Sequence, residues 1–149
     1  MNQLADIRRR LDNLIRSGTI AAVDLEKHRC RVKTGGLTTG WLPWFTRRAG
    51  STNEWDPPSV GEQCTVFSPS GEITQGLVLV GLYSDANAPQ SASETIHRID
   101  WANGDYVEHD AASGSYKLQL AGHADIKAAS LTITCTGAVK ITGATIDLN

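Results

Sequence analysis

The sequence has no long apolar run. Its longest apolar stretch, Leu77-Val78-Leu79-Val80, is far shorter than the roughly 18 residues that a membrane-spanning helix needs. Such a helix is therefore excluded, and because no apolar segment follows Met1, we expect no secretory signal peptide. With 149 residues, 40% of them hydrophobic and 20% charged, the chain has the composition of a folded protein about one ordinary domain in size.

Cysteines are few, odd in number and far apart. Cys30, Cys64 and Cys135 form no C-x-x-C pair, so the sequence predicts neither a zinc site nor a disulfide framework. Cys30 and Cys135 lie in alternating apolar patterns, where cysteine acts as a small hydrophobic residue. We expect buried free thiols in a protein made in a reducing compartment.

The chain also lacks the common catalytic motifs. It contains no G-x-S-x-G, H-E-x-x-H or P-loop sequence, and no pair of acidic residues is placed to flank a scissile bond. The four histidines, at positions 28, 97, 109 and 123, are scattered. We therefore expect a protein that is not an enzyme and holds no metal ion or cofactor.

Charge is distributed unevenly along the chain. Residues 1–50 hold ten Lys and Arg against four acidic residues, whereas residues 51–149 hold four against twelve, so a net charge of −2 hides a basic head. A basic head is suited to an acidic partner, although a solvated surface gives the same pattern.

The first segment, residues 3–17, predicts an amphipathic helix. Leu4, Ile7, Leu11, Leu14 and Ile15 recur with the helical period, and arginines lie on the opposite face. Asn2 is a candidate N-cap and Gly18 a candidate left-handed C-cap. So sharp an apolar stripe must be covered by its own domain, by copies of itself or by another protein.

From residue 19 to residue 84 the pattern changes to the alternation of β-strands. Turn-rich segments separate the candidate strands, which are Thr19–Asp24, Arg29–Lys33, Gly40–Phe45, Gln63–Ser68 and Thr74–Tyr83. Five short strands without helices between most of them predict a small barrel such as an OB-fold. We expect Trp41, Trp44, Phe45 and Trp55 to supply much of its buried area.

Residues 85–93 are small and polar and predict a linker, with a domain boundary near residue 88. Residues 94–149 then begin with a hairpin, because Asn103-Gly104 is a strong turn signal between 97–101 and 106–109.

Beyond the hairpin, the chain alternates large apolar residues with Ala, Ser and Thr. Its apolar positions are Leu118, Leu120, Ile126, Leu131, Ile133, Val139, Ile141, Ile146 and Leu148. They form one face, and no second layer in the sequence covers it. Copies of the chain would supply the missing core and the missing strand edges, as in a homotrimeric or stacked β-helix. The alternative is an antiparallel sheet packed on the barrel.

Two segments carry a family resemblance. Residues 34–50 (TGGLTTGWLPWFTRRAG) and 55–63 (WDPPSVGEQ) resemble the baseplate assembly protein V family, the central spikes of P2-like contractile phage tails and R-type pyocins. Residues 76–84 and 103–108 match in order and spacing, so the resemblance covers nearly the whole chain. It is specific in the middle and only compositional in the tail.

The resemblance implies a fold and a role. The fold is mainly β: an N-terminal helix (residues 1–18), an OB-fold domain (19–84), and an intertwined triple-stranded β-helix (94–149) in a homotrimer. The nine apolar tail positions would then line the trimer core. The OB domain attaches to a baseplate hub, and sheath contraction drives the spike through the bacterial outer membrane. The expected location is the tail baseplate of a virion or tailocin, assembled in the bacterial cytoplasm.

The hub contact and the tip follow from the same resemblance. We expect the hub to be bound by the apolar stripe and the basic head through Leu4, Arg8, Leu11, Leu14, Arg47 and Arg48. Related spikes end in a tip that holds iron through His-x-His, but no His-x-His occurs here. We therefore expect no metal site in this chain, and either a truncated end or a separate tip protein.

Two other readings remain open. OB-folds often bind single-stranded nucleic acid through aromatic and basic residues, a role that Trp41, Trp44, Phe45, Arg47 and Arg48 could fill. The other is a spike of a type VI secretion-like device. The sequence does not separate phage from pyocin.

Overall fold

The computed structural model of the chain describes residues 3–147. The predicted N-cap Asn2 and the predicted core residue Leu148 lie outside this range. The protein is mainly β, with one N-terminal α-helix, and it divides into two compact units between Ala92 and Ser93. The division lies at the end of the predicted linker.

The first unit contains one helix, five strands and two short 3₁₀ turns. Its elements are α1 (Gln3–Leu14), β1 (Ile15–Asp24), β2 (Arg29–Thr34), β3 (Leu37–Thr38), β4 (Gln63–Phe67), the 3₁₀ turns Pro69–Gly71 and Ile73–Gln75, and β5 (Leu77–Val80). The strands form one antiparallel sheet in the order β3-β2-β1-β4-β5. The long strand β1 pairs with both β2 and β4, and so joins the two halves of the sheet.

The segment after β3 closes this sheet into a barrel. Cys30 of β2 and Leu42 exchange two backbone hydrogen bonds of 2.8 Å. On its other side the segment pairs in parallel with β5, where the Val78 N–H donates to Pro43 and the Phe45 N–H donates to Val78, both at 2.9 Å. One segment thus links β2 to the edge strand β5, the arrangement of an OB-like domain. This confirms the predicted barrel.

The barrel core is aliphatic. Alternate residues of β2 and β4 point inward, and the buried apolar side chains are Ile20, Cys30, Val32, Leu42, Cys64, Val66 and Val78. The aromatic core predicted from the sequence is wrong. Trp41, Phe45 and Trp55 are about half exposed, and only Trp44 packs against the core, from its edge. The interior of so small a barrel is filled by branched side chains of medium size, which leaves the indoles outside.

The N-terminal helix is shorter than predicted. It ends at Leu14, and residues 15–17 belong to β1, where Ile15 pairs with Phe67 of β4. Gly18 is not a helix cap but lies within β1, where a Cβ atom would come within 2.5 Å of the Val32 side chain. Pairing with a strand distant in sequence therefore overrides the local helical period.

Two predicted strands also differ from the structure. Gly40–Phe45 forms isolated bridges at Leu42 and Trp44 and not a continuous strand. The predicted strand Thr74–Tyr83 is reduced to β5, because Ile73–Gln75 forms a 3₁₀ turn.

The second unit contains a three-stranded antiparallel sheet. Its strands are β6 (Ile96–Asp100), β7 (Tyr106–Asp110) and β8 (Ser115–Gln119), paired in that order. The turn between β6 and β7 contains Asn103-Gly104, as the sequence predicts, with Gly104 at a φ of +89°. The Gly104 N–H donates to the Trp101 carbonyl at 2.9 Å and closes the turn.

After β8 the backbone has no regular element as far as residue 147, where the described part of the chain ends. A strand needs a neighbour to receive its backbone hydrogen bonds, and this segment of a single chain has none. Cys135 lies here and is exposed, contrary to the prediction of a buried thiol, whereas Cys30 and Cys64 are buried as free thiols.

Candidate docking and assembly surfaces

The apolar stripe of helix α1 is uncovered. Leu4, Ile7 and Leu11 are 73%, 54% and 62% exposed, and Leu14 is also exposed. No residue of α1 within the described range is buried. Three of the predicted hub residues therefore lie side by side on this stripe, with Arg8 beside them on the same helix.

The helix is nevertheless held against the barrel by its backbone. The Ser68 N–H donates to the Leu14 carbonyl at 2.8 Å. Gly71, in the first 3₁₀ turn, lies against the backbone of Arg10, where a Cβ atom would come within 2.5 Å of the Arg10 Cα. Asp6 and Asn13, one turn to either side of Arg10, are the only half-buried residues of the described helix. The barrel thus fixes the helix while its stripe faces away from this contact.

Ion pairs also organise the polar flank of the helix. The Asp6 carboxylate accepts from Arg9 at 2.8 Å and from Arg10 at 2.9 Å. The hydrogen bond from Arg9, and then that from Arg10, lowers the pKa of Asp6 below its ordinary value. At neutral pH the flank therefore holds fixed charges beside the stripe.

The other two predicted hub residues lie in the loop after the closing segment. The Arg47 guanidinium pairs with Glu54 at 2.8 Å. Arg48 is exposed, and its carbonyl accepts from the Glu54 N–H at 2.9 Å. Beside them an open groove of about 300 Å³ runs between Phe45 and Leu79. Basic and apolar groups are thus combined at this loop as they are on the helix.

Two groups of ring contacts lie on the barrel surface. Trp55 contacts the His28 ring edge-on at 5.3 Å and Trp44 at 6.1 Å between ring centroids. The Arg31 guanidinium lies 5.8 Å from the centre of the Trp41 ring. Trp55 is thus held by two neighbouring rings, and Trp41 by a cation.

The predicted trimer-core residues are exposed in the single chain. The exposed fraction runs from 38% for Leu120 to 78% for Ile126. The remaining members also exceed a third exposure within the described residues: Leu118, Leu131, Ile133, Val139, Ile141 and Ile146. No other apolar side chains of the same chain bury these residues within the described range.

The sequence analysis missed the ordered charge network on the sheet of the second unit. Arg98 pairs with Asp100 at 2.6 Å and with Glu108 at 2.8 Å, and Lys117 pairs with Glu108 at 3.3 Å. The Arg98 guanidinium also lies 3.8 Å from the centre of the Tyr106 ring. Its hydrogen bonds lower the pKa of Asp100 and of Glu108. The strand register of the structure places Arg98 opposite Glu108, and the turn signal at Asn103-Gly104 alone does not specify this pairing.

Residues 3–147 lack two features, a metal-binding cluster and a membrane-spanning helix. The described residues contain no group of three or more His, Cys, Asp or Glu side chains that is arranged to hold a metal ion. Within the same range, no helix has the length and apolar character needed to cross a bilayer.

Comparison with known proteins bears on the whole chain. Residues 16–83, which contain strands β2–β5 and all of β1 except Ile15, match the family described as the type VI secretion system/phage-baseplate injector OB domain. The chain is 41% identical over 145 residues, 95% of its length, to the spike protein of Escherichia phage P2, and it spans 65% of that relative. The predicted resemblance is therefore confirmed: the first unit is similar to the phage-baseplate injector OB domain, and nearly the whole chain is similar to a phage spike protein.

Proposed function

We propose that this protein is the central spike of a contractile tail baseplate, of a phage or an R-type pyocin, that pierces the bacterial outer membrane when the sheath contracts. The observation that carries the proposal is the 41% identity to the spike protein of phage P2 over 95% of the chain. The protein would act mechanically in the particle, with no bond made or broken.

Force transmission requires a shaft that does not buckle. We propose a homotrimer in which the apolar tail residues of three chains share one core. The exposure of Ile126, Leu131 and Ile133 supports this, because burying such side chains is favourable and only other copies supply matching strands. Wound together, the chains would satisfy each other's backbone groups and leave no free edges, as an intertwined triple-stranded β-helix does.

The head would attach the shaft to the baseplate. We propose that a hub protein covers the exposed stripe of α1, contacting Leu4, Leu11 and Leu14, while Arg8, Arg47 and Arg48 meet acidic groups. The fixed position of α1 on the barrel supports this, since an ordered helix loses little entropy on binding. Assembly would take place in the bacterial cytoplasm.

The native mass of the full chain tests the assembly. We expect a mass near three times the 16.0 kDa of one chain. The double variant Ile133→Asp/Ile141→Asp would bury charges in the shared core, at a cost of several kcal/mol per ion, and should not assemble. Thr134→Asp/Thr142→Asp is the matched control, because it adds the same charge at alternate positions and should remain trimeric. A monomeric wild-type chain, or a trimeric double variant, would contradict the shared core.

A second candidate function is binding of single-stranded nucleic acid. The exposure of Trp41, Phe45 and Trp55 favours it, because bases stack on exposed rings. Such binding would weaken steeply with salt. Fluorescence anisotropy with labelled oligonucleotides at low and moderate salt decides between the two, since a spike should bind none.

A further inference from the structure

Strand β5 is covered along only part of its outer edge, the edge that faces away from β4. At this edge the Val78 N–H donates to Pro43 and the Val78 carbonyl accepts from Phe45, both at 2.9 Å. Backbone groups alternate between the two edges of a strand, so Val80, two residues further on, directs its N–H and its carbonyl to the same edge. Within residues 3–147 neither of these two groups has a hydrogen-bond partner.

The edge is open at Val80 because the closing segment leaves β5 there. That segment pairs with β5 in parallel at Trp44, opposite Val78, and forms no bridge to β5 beyond this point within the described residues. The open groove of about 300 Å³ begins here, with Phe45 and Leu79 among its lining residues and Val80 on its wall. An unpaired donor and acceptor on a strand edge form a template for one further strand.

Two apolar side chains flank the groove on the outer face of the sheet. Val78 is buried in the barrel core, and its bridge partner Trp44 packs against that core. Side chains alternate between the two faces along an extended segment, so Phe45 and Leu79 point to the opposite, outer face. They are 47% and 44% exposed. An apolar side chain placed between them would lose contact with water and gain two apolar neighbours.

The charges of the groove favour a basic partner. Glu54 and Asp56 line it together with one cation, Arg47. The Arg47 guanidinium pairs with Glu54 at 2.8 Å, whereas Asp56 is exposed and makes no ion pair with any residue in the described range. One carboxylate at the groove is therefore available to a cation from another molecule.

We propose that this groove binds an extended peptide segment of a partner protein, which carries an apolar and a basic side chain on one side. One residue of the segment donates to the Val80 carbonyl and accepts from the Val80 N–H, as an added antiparallel strand does. Its two neighbours then point to the outer face, where the apolar one lies between Phe45 and Leu79 and the basic one meets Asp56. The inference goes beyond the proposed function and does not depend on it.

A short synthetic peptide of this pattern tests the groove. The probe is the fluorescein-labelled, C-terminally amidated pentapeptide TVTKT, whose valine and lysine flank the central threonine that pairs with Val80. Its fluorescence anisotropy is measured during titration with the full chain, and we expect saturable binding. The same peptide with an N-methyl group on the central threonine leaves the Val80 carbonyl without its donor. This peptide should bind at least about tenfold more weakly.

Variants of the protein test the walls of the groove. Leu79→Lys replaces an apolar wall by a cation that repels the lysine of the probe, and the dissociation constant should rise at least about tenfold. Leu25→Lys is the matched control, because Leu25 is 53% exposed but does not line the groove, and it should bind the probe as the wild type does. Asp56→Asn removes one exposed charge and should weaken binding about two- to fivefold.

The outcomes separate this inference from the proposed function. Absence of saturable binding to the wild type overturns the inference, as does equal binding of the N-methylated peptide or equal binding by Leu79→Lys. A Leu79→Lys chain with a smaller native mass than the wild type also overturns it, because another copy of the chain would then occupy the groove. A monomeric wild type that binds the probe would instead contradict the shared core and support the peptide site.

Discussion

Gly71 lies directly against the backbone of Arg10 and holds the N-terminal helix on the barrel. Its φ of +71° is in the left-handed region, and a Cβ atom there would come within 2.5 Å of the Arg10 Cα. We expect Gly71→Ala to destabilise the protein by about 2–4 kcal/mol, from overpacking against backbone and from the left-handed conformation. Urea unfolding measures the change.

Gly40→Ala is the control for that substitution, because a Cβ atom at Gly40 meets nothing within 4 Å. It should shift the urea midpoint little. Equal effects of the two substitutions would show that α1 does not depend on close packing at Gly71.

The sequence predicted the barrel because its signals are local. Alternation and turn residues between 19 and 84 indicate short strands, and the structure has β2, β4, β5 and the second half of β1 within that range. The predictions that are wrong concern residues whose strand partners are distant in sequence. Ile15 extends the helical stripe, yet it pairs with Phe67, and no local period contains that information.

The surfaces were predicted less completely than the fold. The stripe of α1 was recognised from its period, but the exposure of Trp41 and Trp55 was not, because size and hydrophobicity alone suggested a core. The charge network of Arg98 and the pairing of His97 with His109 need the strand register. That register follows from the turn at Asn103-Gly104 only once the strand lengths are known.

The three thiols should differ in reactivity. Burial raises the pKa of Cys30 and of Cys64 to about 11, so both should react slowly with a thiol reagent in the folded protein. Cys135 is exposed in the single chain and alternates with Leu131 and Ile133. In the proposed trimer it should be protected as well, and in Ile133→Asp/Ile141→Asp it should react rapidly. A fully reactive Cys135 in a trimeric protein would argue against the shared core.

The same thiols make the barrel sensitive to alkali. Their pKa values in the folded state lie above the ordinary thiol value of 9.0, so the unfolded chain loses its protons first as pH rises. The stabilisation of the folded barrel by these two protonated thiols is complete below about pH 9 and is lost toward pH 11. Thermal unfolding of wild type and of Cys30→Ala/Cys64→Ala should show a smaller alkaline decline for the variant, and parallel curves would contradict this cause.

Arg98 should matter more to the second sheet than Lys117. Arg98 joins Asp100 and Glu108, whereas Lys117 makes one longer pair to Glu108. We expect Arg98→Gln to lower the unfolding temperature, and Lys117→Gln to lower it less. Arg98 lowers the pKa of Asp100 and of Glu108, so its contribution to the stability of the sheet is present at neutral pH. That contribution is lost as pH falls below the ordinary carboxyl values, 3.8 for Asp100 and 4.5 for Glu108. A difference between wild type and Arg98→Gln that does not shrink as pH falls would exclude these ion pairs as its origin.

Attachment of the head can be separated from trimerisation by charging the stripe of α1. Leu11 is 62% exposed on the stripe, and a carboxylate placed there would be buried by any partner that covers the helix. We expect Leu11→Asp to keep the trimeric mass but to reduce incorporation into tail particles at least about tenfold. Ala5→Asp adds the same charge on the same helix outside the stripe and should be incorporated normally. The spike content of purified particles measures both, and full incorporation of Leu11→Asp would mean that the hub binds elsewhere on the head.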